Sequence, residues 1–91
     1  MKGNICVYIH QKDYKMNTGS LVIKFDPGSY NKTILFKMFP KLEVFYSHSQ
    51  YELVSNAEIE QRMQFEEVPY YILSDTKKKL ELSNFEYEII C

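Results

Sequence analysis

A strict two-residue alternation near the N-terminus constrains this chain more than any other feature. Over residues 4–10, Ile5, Val7 and Ile9 fall on one side and Cys6, Tyr8 and His10 on the other. Successive side chains of a strand point to opposite faces, so this pattern predicts a half-buried β-strand. Residues 21–25 repeat it, with Leu21, Ile23 and Phe25 inward. Between the two, the polar residues 11–20, with Gly19, read as a loop. Asp26, Pro27, Gly28 and Ser29 are turn chemistry: proline presets φ and glycine supplies a positive φ.

Further along, residues 33–39 are apolar on both faces (Ile34, Leu35, Phe36, Met38, Phe39) and read as a central strand that Pro40 stops. Residues 42–47 alternate through Leu42, Val44 and Tyr46, and residues 51–54 continue or pair with that strand. Ser55, Asn56, Ala57 and Glu58 match a capping box. With Ile59 and Met63 four apart, they predict one helix at about residues 56–67, ended by Pro69. Residues 70–73 read as a short strand and residues 74–79 as a lysine-rich turn. Leu80 and Leu82 share one parity while Phe85, Tyr87 and Ile89 share the other, which predicts a bulge or turn at Ser83 and Asn84. No strand–helix–strand rhythm repeats, which disfavours a doubly wound parallel fold. The expected architecture is α+β: a mostly antiparallel sheet of about six strands with one short helix packed on it, in a single compact domain spanning residues 1–91.

Size and charge limit the function classes. At 91 residues and 10.9 kDa, folding hides roughly 65% of the extended chain's surface, enough for one modest core. The net charge of −1 excludes a strongly polycationic or polyanionic protein. It conceals an asymmetry: residues 1–50 carry seven lysines and three acids, whereas residues 51–91 carry nine acids and four bases. Apolar runs reach only about five residues, so no bilayer span or signal-peptide core is visible, and the expected location is the cytoplasm. The bias toward Lys, Asn, Ile, Tyr and Phe, with Arg62 as the one arginine, is what AT-rich coding produces. It suggests a low-GC bacterium or one of its viruses, the host cytoplasm being the location in the second case.

No catalytic constellation emerges. Cys6 and His10 share a strand face, but four residues of strand separate them by about 13 Å, far beyond hydrogen-bond reach. Cys6, Cys91, His10 and His48 equal the ligand count of a zinc site without its spacing. Three glycines leave no phosphate-cradling loop. The reading is therefore a non-enzyme without metal or cofactor.

Surface contact is what remains. Tyrosine anchors interfaces by burying much area around a polar tip, and the chain has eight. Tyr8, opposite the Ile5, Val7 and Ile9 face, and the adjacent Tyr70 and Tyr71 are candidate anchors. Glu58, Glu60, Glu66 and Glu67, on the expected helix, would complement a basic partner surface. The leading expectation is a small protein-binding module, an inhibitor of a host protein carried by a phage or mobile element and acting against a nuclease or other defence factor. The alternative is single-strand nucleic-acid binding through Lys12, Tyr14, Lys15, Tyr30 and Lys32. A second alternative is a self-assembling structural or accessory subunit, including a homodimer joined through an unpaired sheet edge.

Overall fold

The N-terminal alternation folds as a hairpin whose two strands, β1 (Ile5–Asp13) and β2 (Thr18–Phe25), pair antiparallel with Val7 opposite Ile23. The computed structural model describes residues 5–13, 18–55 and 58–90, with the backbone alone at 11–13, 54, 55, 58 and 90. The strands run further than expected, taking in both ends of the segment 11–20 read as a loop. After β2, Asp26 closes the turn: its side chain accepts from the Gly28 N–H at 3.0 Å and the Ser29 hydroxyl at 3.1 Å, an Asx turn.

The rest of the chain comprises α1 (Lys32–Met38), a 3-10 segment (Pro40–Phe45), β3 (Tyr46–Ser55), β4 (Glu58–Pro69), α2 (Tyr70–Leu82) and β5 (Glu86–Ile90). The sheet has five strands rather than six, in the order β3-β4-β2-β1-β5. Neighbours are antiparallel except β1 and β5, which are parallel. The protein is α+β, and the helices among the described residues lie on one face of the sheet. Ile5, Val7, Ile9, Leu21, Ile23, Phe25, Met63 and Phe65 point to that face and are buried. Leu35, Phe39, Leu42, Ile72, Leu73 and Leu80 close over them from the helical layer.

Three expectations about local structure are overturned. Residues 33–39 form a helix, not a central strand. The Asn31 side chain caps it, accepting from the Ile34 N–H at 2.9 Å, and Leu35 and Phe39, four apart, face the sheet while Ile34 faces out. A short apolar run fits a buried strand or a buried helix equally well. The helix at 56–67 is absent: residues 58–69 are β4, the longest strand, paired with β2 on one side and β3 on the other. Its Glu, Gln, Met and Arg residues prefer helix. Two flanking ladders of hydrogen bonds and the burial of Gln61, Met63 and Phe65 outweigh that preference. Asn56 and Ala57 of the expected capping box lie outside the described residues.

Residues 70–73 and 74–79, read as strand and turn, are together α2, with Ile72, Leu73, Thr76 and Leu80 on its buried face. From sequence, Pro40 and Pro69 read as stops. Pro40 instead opens the 3-10 segment and Pro69 stands immediately before α2, because a ring that donates no N–H costs nothing in a first helical turn. The strand expected over 42–47 begins only at Tyr46. The turn at Ser83 and Asn84 is present. Asn84 has φ 60°, and the N–H groups of Asn84 and Phe85 bond to Glu81 O and Leu80 O at 3.3 and 3.0 Å, a Schellman end to α2.

Candidate functional site

With every helix on one side, the other face of the sheet carries no covering layer among the described residues. Parity decides what it displays. Cys6, Tyr8 and His10 of β1 stand opposite Lys24, Val22 and Ser20 of β2. Lys24 and Val22 in turn stand opposite Arg62 and Gln64 of β4. Gln50, Glu52 and His48 come from β3, and Glu86 and Glu88 from β5, level with Cys6 and Tyr8. A shallow depression of about 570 Å³ occupies the middle, lined by Tyr8, His10, Val22, Lys24, Arg62, Gln64 and Glu66 among others.

The electrostatics of this face are uneven. Lys24 Nζ sits 4.9 Å from the centre of the Tyr8 ring, a cation–π contact. Arg62 bonds Glu52 through Nη2 at 3.0 Å, and its buried Nε has no hydrogen-bond partner among the described residues. Glu52 and Glu60 are direct cross-strand neighbours, a like-charge arrangement that destabilises a sheet. The Arg62–Glu52 pair offsets part of that repulsion. Of the described side chains on this face, Glu52, Glu60, Glu66, Glu86 and Glu88 are acidic and only Lys24 and Arg62 are basic. The helical layer is the reverse: Lys32, Lys37, Lys41, Lys77, Lys78 and Lys79 all lie there. The charge asymmetry between the halves of the chain is thus accompanied by one between layers of the fold.

Tyr8 reports on the field. Its phenol is pushed up to about 12, first by hydrogen bonding to the Cys6 side chain, then by the charge on the Cys6 sulfur, by burial, and by Glu88 and Glu60. Carboxylates from β4 and β5 thus act on one ring in β1. Negative surroundings disfavour the phenolate, so the folded protein holds the proton longer than the unfolded chain. The resulting stabilisation is complete below the unfolded value of 10.0 and is lost as pH rises through about 12. In a residue-resolved NMR titration of the tyrosine rings, Tyr8 is expected to ionise well above 10 in the wild type and to move back toward 10 in Cys6→Ala. Ionisation near 10 in both proteins contradicts this geometry.

Of the residues singled out from sequence, Tyr8, Glu60 and Glu66 come together on the open face. They do so as strand residues of equal parity, not as a strand tyrosine beside a helix. Glu67 is exposed at a bulge, with φ 53°. Glu58 is placed in β4 by its backbone, and its side chain is outside the description. Tyr70 and Tyr71 lie on α2 in the other layer, Tyr70 packed against the core and Tyr71 67% exposed. Among the nucleic-acid candidates, Tyr30 packs on the core and Lys32 lies 4.8 Å from the Tyr46 ring centre, both on the helical side. Tyr14 and Lys15 lie outside the described residues, as does the Lys12 side chain. Sequence reasoning passed over Glu52 and Arg62 as site residues, and it grouped Glu81, Glu86 and Glu88 with the glutamates of the expected helix as complements to a basic partner. The even numbering of Glu52, Arg62, Glu86 and Glu88 relative to Glu60 and Glu66 was a usable signal only once both segments were known to be strands.

A second depression, of about 310 Å³, lies between α2 and the 3-10 segment, with Phe39, Pro40, Leu42 and Ile72 among its walls and Lys41, Lys78 and Lys79 at its rim. Two of these lysines tie the helical layer together. Lys79 Nζ donates to the Met38 carbonyl at 2.7 Å, one of the carbonyls left unpaired where a helix ends, and Lys41 pairs with Asp75 at 3.1 Å. Among the described residues, no three His, Cys, Asp or Glu side chains are grouped to hold a metal ion, and no helix is long and apolar enough to cross a membrane. Comparison with protein-family models, with curated proteins and with solved structures finds no match.

Proposed function

We propose that this protein is an interaction module that uses the uncovered acidic face of its sheet to dock on a basic surface of another protein. One observation carries the reading: among the described residues the sheet displays five glutamates around Tyr8 and Arg62 on a face that no helix covers, with Lys24 as its one lysine, while six lysines sit on the opposite layer. Glutamate is depleted in strands, and like charges on adjacent strands repel. A partner's lysines or arginines would relieve that repulsion and be steered toward the face by its field. Tyr8 supplies a central aromatic anchor. The narrower form of the proposal is a phage or mobile-element inhibitor that occupies the basic nucleic-acid site of a host enzyme.

The test is affinity capture from a low-GC bacterial lysate, with and without nuclease treatment, comparing the wild type with two charge-reversed variants. Glu60→Lys with Glu66→Lys is expected to lose the stoichiometric partner, and Lys77→Glu with Lys78→Glu to retain it. A partner held by the first variant and lost by the second would transfer the interaction to the helical layer. Recovery of nuclease-sensitive material alone would favour nucleic-acid binding.

A further inference from the structure

We infer that the chain forms a two-fold homodimer by antiparallel pairing of β3 with β3 of a second copy, joining two five-stranded sheets into one of ten strands. The sheet order places β3 at an edge, where among the described residues it pairs with β4 alone. Its regular ladder with β4 runs from His48 to Leu53. Natural edge strands avoid such pairing with proline, lysine, bulges or brevity; Tyr46–Ser55 contains neither proline nor lysine, and its two register irregularities, between Tyr46 and His48 and between Leu53 and Ser55, leave the stretch from His48 to Leu53 unbroken. Beside the free edge, the core face of the sheet continues past the helices. Tyr51, Leu53 and Ile59 are 64%, 72% and 52% exposed. Leu53 and Ile59 are cross-strand partners, and Tyr51 stands opposite buried Gln61. This apolar strip runs from the core to the open hydrogen-bonding edge.

The occupant follows from the edge itself. What it lacks is a second strand with apolar residues on the same face. The other edge, β5, has five residues and displays Glu86 and Glu88. A β3-to-β5 contact would propagate without closing, whereas a β3-to-β3 contact closes after two copies. β3 is also compatible with itself in charge. Its one acidic residue, Glu52, is paired with Arg62 of its own chain. Pairing centred on Tyr51 sets the two Tyr51 rings across the axis, Leu53 opposite Ser49, and Glu52 opposite Gln50 rather than opposite its own copy. Leu53 of each chain then lies diagonal to Tyr51 of the other, within reach of an aromatic ring. The axis runs perpendicular to the sheet, so both acidic faces lie on the same side. The inference is independent of what those faces bind.

Sedimentation velocity on the full chain, from about 1 to about 200 µM, tests this. Twice the 10.9 kDa mass is expected at the upper end. Tyr51→Lys with Leu53→Lys places four like charges about the axis and is expected to weaken dimerisation by about 100-fold or more, with an unchanged far-ultraviolet spectrum. Ile89→Lys, on the β5 edge, should leave the dimer intact. Hydrogen exchange of the unsubstituted protein gives a reading that needs no variant: protection of the β3 amides should rise with concentration. A monomer throughout the range, growth beyond a dimer, a dimer that survives the β3 substitutions, or β3 protection indifferent to concentration would each overturn the inference.

Discussion

Gly19→Val is expected to destabilise the fold by more than about 3 kcal/mol. Gly19 lies in β2 where two irregularities meet: the β1–β2 register shifts between His10 and Asp13, and the β2–β4 register between Gly19 and Leu21. A Cβ at this position would run into the His10 carbonyl oxygen of β1 and approach the Leu73 side chain of α2 to 3.0 Å. The first obstacle is backbone held in a sheet, which cannot swing aside like the end of a flexible side chain. Overpacking a closed interior costs about 1–3 kcal/mol even when side chains can adjust, so a branched residue against fixed backbone should exceed about 3 kcal/mol. That is a large part of the roughly 5–15 kcal/mol that holds a domain together. Urea denaturation followed by circular dichroism is the check. A Gly19→Val protein with the wild-type midpoint would mean that β1 and β2 do not approach as described.

Phe65→Ala is expected to cost about 3–5 kcal/mol, the usual range for deleting a buried aromatic ring. Phe65 is 1% exposed and ends a chain of edge-to-face rings. Its centroid lies 5.9 Å from that of Tyr46, which lies 5.7 Å from that of Phe36. The three rings join β4, β3 and α1, so the cavity opens where two strands and a helix meet. Tyr71→Ala, at a site 67% exposed, should change stability by no more than about 0.5 kcal/mol. Both are measured by urea midpoint with the slope unchanged. Equal effects would show that Phe65 does not occupy the interior.

The open face was legible in part. Placing Tyr8 opposite Ile5, Val7 and Ile9 needs only the alternation of a strand, and it holds. Glu60 and Glu66 were picked out for their charge and are on the face, though as strand residues. Tyr70 and Tyr71 were expected on opposite faces of a strand and are instead successive residues of α2. The dense charge pattern was equally visible, but its division between layers was not. Lysines from residues 32–41 and 77–79 share a side only because α1, the 3-10 segment and α2 all pack on the same face.

What the sequence by itself determined is local. The alternation in residues 5–9 and 21–25 specifies two strands and their inward faces, since parity depends on nothing beyond the chain's own geometry. The Asp26 turn and the αL end of α2 at Asn84 are set by side chains within a few residues of the backbone groups they satisfy or release. Only the tertiary structure decided between helix and strand for residues 33–39, 58–69 and 70–82. The preferences there amount to a few tenths of a kcal/mol per residue, and hydrogen bonding and burial supplied by distant segments exceed them. It alone set β4 between β2 and β3, left β3 as a free edge, and brought Glu88 of β5 and Glu60 of β4 to opposite sides of Tyr8. Strand order depends on partners far apart in sequence, and no local signal encodes which of them will meet.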